Sequence, residues 1–115
     1  MIKIILSLLF ILNPTVSYSH SQLIEILPRQ NVVYQKLPME IKLKFRSQVK
    51  LVKVDLSNIN DKNKKLKLNL KPFNKRSKMF VIPMPKISPG KYNILWRASS
   101  PDGHIIKGKS QFEVK

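Results

Sequence analysis

His20 and His104 are the only histidines in the sequence, and each stands where an imidazole can ligate a metal. If the chain is cut after Ser19, His20 becomes the N-terminal residue. Its α-amine, with a reference pKa of roughly 7.7 to 8.0, can then lose a proton to a metal, so that one residue offers two nitrogens to one ion. His104 follows Asp102 with one glycine between them. In an extended or tightly turned backbone, residues two apart point the same way, so a carboxylate and an imidazole can share a target. Gly103 permits the sharp path, with positive φ, that a bulkier residue resists. Amine, two imidazoles and a carboxylate form a nitrogen and oxygen donor set that suits one copper(II) ion in tetragonal geometry. Zinc and nickel are the nearest competitors, and the donor types alone leave both open. Taken singly, Asp102-Gly103 also reads as an ordinary turn with an exposed histidine beside it.

The N-terminal segment decides whether His20 can be an N-terminus. Lys3 precedes an apolar run from Ile4 to Leu12, too short for the about 20 residues that span a bilayer; Asn13 and Pro14 end it, and Ser17-Tyr18-Ser19 supplies small residues at cleavage spacing. Residues 1–19 are therefore expected to be a cleaved signal peptide, and 20–115 one exported, periplasmic domain. The chain contains no cysteine, so neither disulfides nor thiolate ligands contribute. There are 22 Lys and Arg against 6 Asp and Glu; removing Lys3 with the leader lowers the net charge from +16 to +15. So basic a domain suits an anionic membrane surface or an acidic partner, and export argues against nucleic acid.

Beyond the leader, apolar and polar residues alternate in short runs, the mark of half-buried strands. Such runs are Leu23 to Ile26, Ile41-Leu43-Phe45, Val52-Val54-Leu56, Leu66-Leu68-Leu70, Met79 to Pro83, Tyr92-Ile94-Trp96-Ala98 and Ser110-Phe112-Val114. Turn residues separate them, among them Ser88-Pro89-Gly90 and Pro101-Asp102-Gly103. No segment has the period of an amphipathic helix. The expected fold is all-β, a seven-stranded Greek-key β-sandwich of immunoglobulin-like size. Lys62 to Lys67 reads as a hairpin tip and the start of its returning strand. Trp96 falls on the apolar register as a core anchor, with Arg97 facing outward.

The segment Tyr92-Asn-Ile-Leu-Trp96-Arg97-Ala-Ser-Ser100-Pro-Asp102-Gly103-His104-Ile-Ile-Lys-Gly108, followed by Phe112-Glu-Val114, resembles the C-terminal signature of the copper resistance protein CopC family. The start His20-Ser-Gln-Leu23, with Pro28 shortly after, is similar to that family's beginning. The resemblance implies a periplasmic copper carrier or buffer without catalytic turnover, in copper homeostasis or resistance, partnered with a copper-transporting inner-membrane protein. The copper(II) ligands it implies fall on His20, Asp102 and His104. Some members hold copper(I) in a methionine-rich loop; here Met39, Met79 and Met84 are scattered and read as strand or gap-filling residues. A monomer is expected.

Two other functions fit parts of the pattern. A copper-dependent oxygenase also uses an N-terminal histidine, but Asp102 would fill a position that oxygen chemistry needs open. A secreted basic interaction module would use the lysines for docking and would not depend on His20.

Overall fold

The computed structural model describes residues 22–115; the expected leader and His20 lie outside them. Among the described residues there are seven strands and two single 3₁₀ turns. The strands are β1 (Leu23–Leu27), β2 (Val33–Tyr34), β3 (Glu40–Asn58), β4 (Lys64–Leu66), β5 (Ser77–Pro83), β6 (Gly90–Ser99) and β7 (Ile105–Val114).

The 19-residue strand β3 organises the molecule. Its first half pairs with β1 on one side and β5 on the other, both antiparallel. Its second half pairs with β4 and β6, β7 follows on β6, and β2 adds in parallel at the far edge. The result is a β-sandwich whose two sheets share one strand. Between them lie Ile41, Leu43, Phe45, Val49, Leu56, Phe80, Ile82, Tyr92, Ile94, Trp96 and Phe112, all buried. The ring of Phe45 meets Phe80 and Trp96 edge-on, at centroid separations of 6.1 and 5.4 Å, and Tyr92 stacks on Phe112 at 5.7 Å. Edge-on and offset arrangements are those the aromatic quadrupole favours.

The strand count agrees with the sequence pattern for compensating reasons. Two expected strands, around Ile41 to Phe45 and Val52 to Leu56, are halves of β3, whereas β2 was not anticipated, because two residues carry no periodicity. The join is marked by a bulge between Leu51 and Lys53, where the partner strand steps only from Ala98 to Arg97. A bulge inserts one residue and shifts the alternation. Leu51 and Val54 are thus buried, while Val52, which the alternation assigned to the core, is exposed beside Lys53. Leu68 and Leu70 lie outside any strand but still pack against the core. Met39 and Met79 are exposed and do not fill gaps; Met84 packs against the core. Trp96 is buried as expected, pressed on Gly108 of β7: a Cβ there would stand 2.7 Å from Cζ2. Its Nε1 is buried without an acceptor. Arg97 is exposed.

Candidate metal centre

Strands β6 and β7 are joined by a tight turn at the tip of their hairpin. The Gly103 N–H donates to the Ser100 carbonyl (2.9 Å), and the Ser100 N–H donates to the His104 carbonyl (2.8 Å). This closes a three-residue loop, Pro101-Asp102-Gly103. Proline at the second turn position presets φ, and Gly103, at φ +90, takes the left-handed conformation that returns the chain to the strand. The residues read from the sequence as a turn are thus also the reason that Asp102 and His104 face one another.

Asp102 and His104 form a pair at that tip. His104 Nδ1 lies 2.8 Å from Asp102 Oδ2, and the His104 backbone N–H donates to Oδ1 at 3.3 Å. The buried Ser100 donates its hydroxyl to the same Oδ1. These contacts, the Ser100 hydroxyl first and the His104 ring and N–H next, hold the Asp102 carboxyl down at about 2, from a usual value of 3.8. The carboxylate is therefore fixed in its ionised, ligand-competent form. Both side chains are open to solvent, at 67% for Asp102 and 82% for His104. With Nδ1 facing the carboxylate, Nε2 is the ring nitrogen turned away from it, and each carboxylate oxygen keeps acceptor capacity.

The pair borders an open hollow of about 430 Å³, lined also by Gln22, Ser100, Pro101 and Ile106. Gln22 comes from the opposite end of the chain and is held from two sides. The Arg46 N–H donates to its carbonyl (2.8 Å), and the Ser47 hydroxyl donates to its Oε1 (2.7 Å). Sequence reasoning did not single out Gln22 or Ser100. A serine two residues before an aspartate is a weak signal, and nothing in the sequence tells which strand receives the N-terminal segment. Among the described residues no group of three or more His, Cys, Asp or Glu comes together. Of the three residues expected as ligands, Asp102 and His104 stand in contact with one another, and His20 lies outside the described residues.

The CopC domain model matches residues 23–115. Protein YobA of Escherichia coli K12 is 29% identical over 100 residues, covering 85% of this chain and 81% of YobA. Among solved structures, CopC from Methylosinus trichosporium OB3b superposes with a TM-score of 0.64 at 24% identity, covering 84% of this chain and 94% of that one. PcoC, a copper resistance protein from Escherichia coli, gives 0.61 at 24% identity, covering 83% of this chain and all of that one, 100%. The family model spans every strand described above, together with the hairpin tip that carries Asp102 and His104, and the chain belongs to the CopC domain family.

Proposed function

We propose that the mature protein begins at His20 and binds one copper(II) ion through the His20 α-amine and imidazole, the His104 imidazole and the Asp102 carboxylate. It would serve as a periplasmic copper carrier or buffer in copper homeostasis or resistance. The observation that carries this reading is the position of Gln22. It is pinned to β3 at the rim of the hollow that holds Asp102 and His104. Two residues of extended chain span at most about 7 Å, a tether short enough to support His20 as a donor to the same hollow. The supporting chemistry is a preformed oxygen and nitrogen pair met by a bidentate N-terminal residue, the donor set copper(II) favours. The reading is of binding and hand-over to a copper-transporting inner-membrane protein, not of turnover.

The test is copper(II) titration of protein whose first residue is verified as His20 by mass spectrometry, followed by electron paramagnetic resonance. We expect one-to-one binding with a tetragonal nitrogen and oxygen signal. His104→Ala should remove one nitrogen from that signal and weaken binding at least tenfold. A single glycine added before His20 should do similar damage by displacing the amine. An unchanged signal in both variants would refute the assignment.

A further inference from the structure

The outer face of the β3–β6–β7 sheet is cationic in an ordered way. Pairing across the three strands makes successive rows: Lys50–Ser99–Ile105, then Lys53–Arg97–Lys107, then Asp55–Leu95–Lys109. Asp55 is the single carboxylate in these rows, and it is engaged by Lys53 at 3.3 Å and by Lys65 of β4 at 3.5 Å. The middle row sets three cations side by side, an arrangement that lowers sheet stability unless anions approach it. Lys53, Arg97, Lys107 and Lys109, with Leu95 and the lysine-paired Asp55, border an open hollow of about 430 Å³, within the size range of small-molecule clefts.

Aliphatic side chains are interleaved with these cations. Leu95 is 42% exposed and Ile105 58%, on the same register as Arg97 and the two β7 lysines. The bulge in β3 adds Val52, 52% exposed, next to Lys53. No large exposed hydrophobic among the described residues is aromatic. That disfavours nucleic acid, whose bases stack on aromatic platforms. A protein partner is disfavoured too, because interface centres concentrate aromatics and arginine and are depleted in lysine. Lysines on a rigid sheet, with short aliphatics between them, match a bilayer surface, where phosphates take the charge and the aliphatics reach the acyl boundary.

We propose that this face docks on anionic phospholipid bilayers. The stem of the β6–β7 hairpin would lie against the headgroups, with the Asp102 and His104 tip at the margin of the contact. Docking needs no metal.

Flotation with vesicles of phosphatidylcholine alone, and of phosphatidylcholine with phosphatidylglycerol, tests this on the processed protein. Binding should require phosphatidylglycerol and weaken with salt. Arg97→Glu with Lys107→Glu should weaken it roughly 25-fold or more, at about fivefold per cation removed. Lys44→Glu with Lys78→Glu, exposed on the other sheet and equal in charge change, should cost only a few-fold. Leu95→Ser should cost a further few-fold that salt does not mask. Circular dichroism of each variant checks the fold. Equal loss in the two double variants, or equal binding to phosphatidylcholine alone, would overturn the proposal. So would capture by immobilised poly-glutamate without vesicle binding, which would make the occupant an acidic polypeptide.

Discussion

Ser100 holds the candidate centre together from below. Its hydroxyl is the largest cause of the depressed Asp102 pKa, ahead of the His104 ring and N–H. A carboxyl whose folded pKa is lowered favours the folded state above its unfolded value, and that contribution is lost as pH falls through the folded value. For Asp102 the window runs from 3.8 down to about 2. Ser100→Ala should move the carboxyl up towards 3.8 in a carbon-detected NMR titration; no movement would show that the histidine contacts suffice. Asp102 stays ionised down to a pH of about 2. At this scale two histidines and one Asp-Gly-His stand out in a lysine-rich sequence, and the structure brings Asp102 and His104 of that motif together. The sequence was silent on Ser100, whose role depends on being buried under the turn.

Among the elements, the hairpin of β6 and β7 was readable in part. Strand β6 alternates and the turn carries proline, aspartate and glycine in order, but in β7 only Ser110 to Val114 shows the alternation, its first half opening on the adjacent apolar pair Ile105-Ile106. Strand β3 was not readable, because a bulge breaks a 19-residue strand into two runs of opposite phase, which periodicity alone takes for two strands. Trp96 of β6 packs directly on Gly108 of β7. With a β-carbon at 108 due to stand 2.7 Å from the indole, Gly108→Ala should force the ring or the strand to shift. Overpacking of this kind costs typically about 1–3 kcal/mol. Urea unfolding followed by tryptophan fluorescence should show a lower midpoint with an unchanged slope; an unchanged midpoint would mean that the indole moves freely into spare space.

For the whole molecule, the shared strand means that neither sheet has a core of its own. The buried face of β3 serves both halves, so the two sheets should open together. Native-state hydrogen exchange checks this: amides in Ile41–Phe45 and in Val54–Leu56 should merge into one opening as denaturant rises, and separate openings would show two folding units. All-β character was readable from the strand runs and turns, whereas the division of one strand between two sheets is a long-range pairing with no local signature. The position of the β6–β7 tip also orders events in time. During synthesis β1, β3, β4 and β5 emerge first and can pair with one another, while most of the second half of β3 waits for β6. Asp102 and His104 come into register only when β7 closes on β6. A chain halted before residue 100 carries β1 to β6 but neither Asp102 nor His104, so this carboxylate and imidazole meet only in the closing step of folding, when the last hairpin forms.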